Sequence, residues 1–356
     1  MKNFFRNYQK LIQSNEFIIF GKKLSHSLDI ELSKNLKEVE TVKNWITKIN
    51  GENFNHNGLS TNINSLFIHG YNHSEKGSHP SGVEFDFYNK KENREFADII
   101  FISSFYYRNR KVLEKITFNQ AKWGEIKSTT SSWKIDQGQL YLLSRLPRFK
   151  GINSSFIPKK DYYIDNISKC LTSYGLMNKE NFVFISTNYL LTVMAGKKSV
   201  NLKDLQSLNT LKQNFNNNIN FPLFADDYLY HEFFYYVEKY CRRNGICFNI
   251  VNRLFSNSSE HFANNTFEFL AEYLKGNIGE IIYNDITKTI NSSASVLTSD
   301  IIQNIKSVSH VQQNSEAMQF IQNYDDSGNI KINDNIEFKE PENGLGIIQV
   351  KVNLGE

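Results

Sequence analysis

Apolar residues between positions 29 and 49 recur at steps of three and four. Leu32, Leu36, Val39, Trp45, Ile46 and Ile49 fall on one stripe with Lys and Glu between them, which predicts an amphipathic helix. Residues 50–64 are polar and rich in Gly and Asn, and are expected to connect. A short strand or more loop follows at Leu66–His69. Val83, Phe85 and Phe87 alternate with Glu84, Asp86 and Tyr88, the period of a strand with one buried face. The charged run NKKENRE is expected to turn the chain. The next run, FADIIFISSF, is apolar on both faces and predicts a central strand. A basic turn, YYRNRK, leads into a third strand, KITFNQAKW.

A Ser/Thr loop at 128–132 separates that strand from a helix over about 136–146. Asp136 stands in the N-cap position and Pro147 just past the last turn. Residues 181–187 predict another buried strand. Helices are expected around 226–243 and 262–275, a polar stretch over 291–335, and a terminal hairpin or strand pair in EFKEPENGLGIIQVKVNL. The pattern is α/β: a mixed sheet flanked by helices. Its expected parts are an N-terminal helical segment (1–55), a core domain (56–205) and a C-terminal α+β extension (206–356).

Composition changes this picture little. The chain has 356 residues, enough to bury a core without staples. A net charge of +4 permits nucleic-acid binding without arguing for it, so a binding patch must come from local clustering. The three cysteines, Cys170, Cys241 and Cys247, form no C-x-x-C pair, which excludes a zinc ribbon and fits a reducing, cytoplasmic setting. The first residues hold an apolar run too short for a secretory leader, and no stretch is long enough to span a membrane.

Candidate chemistry lies in two central strands. Asp98 stands in E-F-A-D-I-I-F-I, and Gln120 and Lys122 share one face of F-N-Q-A-K-W because strand side chains alternate. Polar groups in such strands are costly unless paired or bound to a cation. The alternative is a structural ion pair between neighbouring strands. Gln137 and Tyr141, in D-Q-G-Q-L-Y-L-L, stand four residues apart on one helical face.

This order of helix, three strands, helix and strand resembles the PD-(D/E)xK nuclease superfamily, with its restriction-endonuclease-like αβββαβ core. The Q-x-K tripeptide is similar to Mrr-type enzymes, and Gln137/Tyr141 to the Q-x-x-x-Y helix of RecB-like nucleases. The resemblance covers residues 80–190 or so. It implies a Mg²⁺- or Mn²⁺-dependent endonuclease acting on DNA, in bacterial restriction or antiphage defence. Asp98, Gln120 and the Ala121 backbone oxygen would hold the metal, and Lys122 would orient water or neutralise charge. A second acid is expected. Glu95 and Glu84 are the candidates, Glu95 only if the strand begins after it or carries a bulge. The first helix offers Glu31 and Glu38, with nothing to single out either. A catalytically silent or partner-activated relative is the rival reading, and a partner defence protein or a second copy is compatible with both.

Other features have bland and sharp readings. Arg108, Arg110 and Lys111 form a hairpin tip able to touch phosphate, as do Arg145, Arg148 and Lys150 after the 136–146 helix. Trp123 and Trp133 are stacking platforms or core. His69, His73 and His79 suggest zinc, but no cysteine and no H-E-x-x-H accompany them. Neither a G-x-S-x-G elbow nor a G-x-x-x-x-G-K-[ST] loop is present.

Overall fold

The computed structural model describes residues 2–69, 79–127, 130–153, 155–164, 170–205, 228–255, 262–285, 292–312, 314–325 and 344–355. His73, two residues of the Ser/Thr loop and the beginning of the expected terminal strand pair lie outside these.

The chain opens with three helices, α1 (Lys2–Gln13), α2 (Asn15–Ser33) and α3 (Glu38–Ile49). The single helix expected over 29–49 is therefore two. Asn35 adopts φ 53°, a left-handed conformation that stops α2 and lets a new helix start at Glu38. The expected polar connection is instead a hairpin of β1 (Asn53–His56) and β2 (Leu59–His69). Asn57 and Gly58 both have positive φ, as a two-residue hairpin turn requires. Two of its polar residues are buried and bonded: Asn64 donates to the Phe320 carbonyl at 3.0 Å, and Ser65 to the Ile46 carbonyl at 2.7 Å.

Next come β3 (Gly82–Phe87), β4 (Lys90–Glu95), β5 (Ile99–Tyr107) and β6 (Arg110–Trp123). The charged run NKKENRE is mostly strand, with the turn confined to Tyr88 and Asn89 at φ 47° and 64°. An edge position tolerates its charges. β7 (Glu125–Lys127), β8 (Thr130–Lys134), α4 (Gln137–Arg145), β9 (Phe149–Gly151), β10 (Thr172–Met177), β11 (Phe182–Ser186), α5 (Thr187–Met194) and β12 (Ser199–Asn201) follow. The remainder gives α6 (Tyr228–Arg243), α7 (Phe248–Phe255), β13 (Phe262–Ala263), α8 (Thr266–Leu274), β14 (Glu280–Asn284), α9 (Ser292–Gln312), α10 (Ser315–Asp325) and β15 (Gly344–Asn353). The polar 291–335 stretch thus contains two helices, held by a sparse apolar stripe that includes Leu297, Ile301, Ile305 and Phe320.

Among the described residues the main sheet has nine strands in the order β1-β2-β15-β5-β6-β10-β11-β13, with β14 beside the first half of β6. It is mixed. β5 and β6 form an antiparallel hairpin, and β10 returns parallel to β6 after a crossover containing α4. β3 and β4 belong to a separate three-stranded sheet with β9. The expected terminal strand pair contributes a single described strand, β15, which inserts between β2 and β5. β13, β14 and β15, all after residue 205, are thus strands of the main sheet.

Side chains alternate across the sheet into two cores. Ile100, Ile102, Ile116 and Phe118 join α4, α5, α9 and α10 on one face. Ile99, Phe101, Phe105 and Leu113 join α1–α3 and α6–α8 on the other. Helices therefore flank a mixed sheet on both faces.

Candidate active site

Asp98 precedes β5 rather than lying within it, yet its backbone is fixed on both sides. Its N–H donates to the Asn119 carbonyl of β6 at 2.9 Å, and its carbonyl accepts from Gly346 of β15 at 2.8 Å. The carboxylate turns toward β6. Oδ2 accepts from the Ala121 N–H at 2.8 Å and from the Gln120 side-chain amide. Gln120 is fully buried, and its Oε1 accepts from Gln139 Nε2 at 2.5 Å.

Glu95 ends β4, and the chain bends through Phe96–Asp98 before β5 begins. Strand alternation does not apply across that bend. Glu95 and Asp98 consequently line one cavity of about 60 Å³, joined by Glu38 from the first turn of α3. Glu38 Oε2 accepts from the Trp123 N–H at 2.6 Å, which ties α3 to the end of β6. Val39, Val42, Phe67 and Gly344 supply the apolar wall.

Electrostatics marks this cavity. Burial holds the Asp98 carboxyl well above the usual carboxylate range. Glu95 and Glu38 push it the same way, while Lys122 and the Ala121 N–H oppose them. Burial also raises Glu38, against Lys122 and the Trp123 N–H and with Glu95. Three acids thus share a recessed space with one lysine in range, an arrangement that a cation would relieve. His79 lies at its edge, its Nδ1 3.1 Å from Glu95 Oε1, and that bond raises the imidazole pKa.

The donor set fits a hard divalent ion. It is all oxygen, and Mg²⁺ keeps several waters and needs few protein ligands. Among the described residues no three His, Cys, Asp or Glu side chains are already gathered at metal-holding distance. The Gln120 carbonyl, expected as a ligand, is instead occupied by Gln139. Ala121 contributes its N–H to Asp98 and lines the cavity.

Other expected site residues lie elsewhere. Glu84 is on β3 in the separate sheet, paired with Lys150 at 3.2 Å. Glu31 is buried on α2 with Lys34 and Lys48. Gln137 donates to the Lys197 carbonyl at 3.2 Å, and Tyr141 packs on Phe85 and Phe87. Residues two apart on a helix are about 200° apart, so Gln139, and not Gln137 or Tyr141, faces β6. Trp133 is fully buried and donates its indole N–H to Met177, a core position with no free stacking face. Trp123 is half-buried against the α1–α3 core.

Arg108 and Arg110 stand at the far end of the β5–β6 hairpin, roughly 30 Å from Asp98 at ~3.3 Å per strand residue. Arg108 stacks on Tyr107. Arg145 is exposed at the C-terminal end of α4, and Arg148 pairs with Asp161 at 2.6 Å.

Sequence reasoning gave no role to Gln139 and did not choose Glu38. The N-cap Asp136 carried a signal for the first, since it fixes the phase of α4. The signal for the second was an Asn ahead of an acid-rich helical turn. Searches of family models, curated proteins and solved structures give no match to this chain.

Proposed function

We propose that the chain is a Mg²⁺- or Mn²⁺-dependent phosphodiesterase acting on DNA, built on a restriction-endonuclease-like core. The observation that carries this reading is the convergence of Glu38, Glu95 and Asp98 on one cavity beside Lys122. The β5–β6 hairpin followed by a helical crossover to parallel β10 supports it, since it matches the later part of the αβββαβ order that the PD-(D/E)xK resemblance implies, whose first expected strand, β3, stands in a separate sheet. A role in restriction or antiphage defence follows from the resemblance alone.

A divalent ion held here would supply polarisation of the phosphate and a bound water of lowered pKa. Asp98 would hold the cation through Oδ1, since Oδ2 already accepts two hydrogen bonds. Glu38 and Glu95 supply further oxygens from two other elements. Lys122 offsets charge on the phosphate or holds the attacking water. The engaged Gln120 amide favours a second reading, an enzyme that stays quiet until a partner reorders the site.

Cleavage of plasmid and linear DNA with Mg²⁺ or Mn²⁺ tests the proposal. Wild type should cut, while folded Asp98→Ala and Lys122→Ala should lose on the order of a hundredfold or more in rate. Equal cleavage by all three would reject the site. Absence of cleavage by wild type, with divalent binding retained, would select the quiescent enzyme.

A further inference from the structure

We infer that Gln139 is a positioning residue that orients Asp98 through Gln120, an inference that rests on reading this site as hydrolytic. Gln139 is buried, and its Nε2 reaches two parts of the site at once. It donates to Gln120 Oε1 at 2.5 Å and to the Glu95 carbonyl at 3.1 Å. α4 holds it there firmly. Asp136 caps the helix by accepting from the Gln139 N–H at 2.7 Å, and Arg94 pairs with Asp136 at 2.9 Å and with Glu92 at 2.8 Å.

The consequence lies in the direction of one amide. An amide has a donor end and an acceptor end. With a donor from Gln139 on its oxygen, Gln120 presents its nitrogen to Asp98. The reversed amide would set oxygen against the Asp98 carboxylate and nitrogen against the Gln139 nitrogen, two repulsions in a buried space. Gln139 therefore selects the orientation in which Asp98 Oδ2 is held by two donors, leaving Oδ1 for the cavity. A glutamate at position 120 would bring a further anion against Asp98, so Gln120 and Gln139 form a matched pair. Gln120 acts here as the tether of the carboxylate rather than as a ligand.

Four proteins test this: wild type, Gln139→Leu, Gln120→Leu and the double variant, each checked by thermal unfolding. The first readout is the Mn²⁺ dependence of DNA cleavage. Gln139→Leu should raise the Mn²⁺ concentration for half-maximal rate by about tenfold, with a smaller change in the rate at saturation. The same substitution should add nothing in the Gln120→Leu background, because the residue acts through Gln120. Gln139→Glu, similar in shape but no donor when ionised, should resemble Gln139→Leu. The second readout needs no activity. The side-chain ¹⁵N amide resonance of Gln120, assigned by its loss in Gln120→Leu, should move in Gln139→Leu. An unmoved resonance, or independent effects of the two substitutions, would overturn the inference. If wild type neither cleaves nor binds Mn²⁺, the hydrolytic reading falls, and the resonance alone decides whether Gln139 controls Gln120.

Discussion

At the scale of single residues, Asp98 is the most informative position. Its carboxyl is raised by burial and by two neighbouring acids, and Glu38 is raised with it. A carboxyl raised in the folded state favours folding most below its unfolded pKa of about 4. That contribution is lost as pH rises through the raised folded value. The folded protein should therefore lose stability with rising pH over this range, and Asp98→Asn should flatten the loss. Thermal unfolding across pH in a metal chelator measures both, with Asp98→Asn melting above wild type at pH 8. Added Mn²⁺ should stabilise wild type at pH 8 by mass action and the variant far less. A variant that melts below wild type at every pH would show that Asp98 is a structural partner and not a site strained by repulsion. The sequence made Asp98, Gln120 and Lys122 visible because charged or amide groups inside apolar strands are conspicuous. It left Gln139 hidden, since a glutamine in a helix has no such contrast until the helix phase is known.

At the scale of elements, β15 matters most. Ten residues near the end of the chain lie between β2 and β5, and Gly346 of that strand binds the Asp98 carbonyl. A Cβ on Gly346 would stand 2.1 Å from Ile46 Cδ1 on α3. Gly346→Ala should therefore displace α3, cost roughly 1–3 kcal/mol, and weaken divalent binding through Glu38. Denaturant unfolding and Mn²⁺ titration check the two effects, and unchanged stability would mean that Ile46 moves aside freely. The alternation in G-L-G-I-I-Q-V-K-V-N announced a strand. Its place at the centre did not show, because a strand's partners are set by packing over the whole sheet. The same limit hid the β1–β2 hairpin, whose Asn64 and Ser65 look like loop until their buried hydrogen bonds are counted.

At the scale of the whole molecule, helices flank a mixed sheet, and the candidate site forms where β5 begins, β6 ends and α3 starts. Its acids come from α3, from the end of β4 and from the residue before β5. The α/β class and the β5–β6 hairpin were legible from periodicity alone. The separation of β3 and β4 into a second sheet was not, and that separation is what removes Glu84 from the neighbourhood of Asp98 and admits Glu95. Among the described residues no helix is long and apolar enough to cross a membrane.

The central claim is that Glu38, Glu95 and Asp98 together form a divalent cation site. Calorimetric titration with Mn²⁺ near pH 8 tests it most directly, using wild type, Glu38→Gln, Asp98→Asn and, as a control outside the cavity, Glu84→Gln. Wild type and Glu84→Gln should bind alike, with binding weakened at least tenfold, or about 1.4 kcal/mol, in each of the other two. Absence of binding to wild type, or binding indifferent to Asp98→Asn, would contradict it.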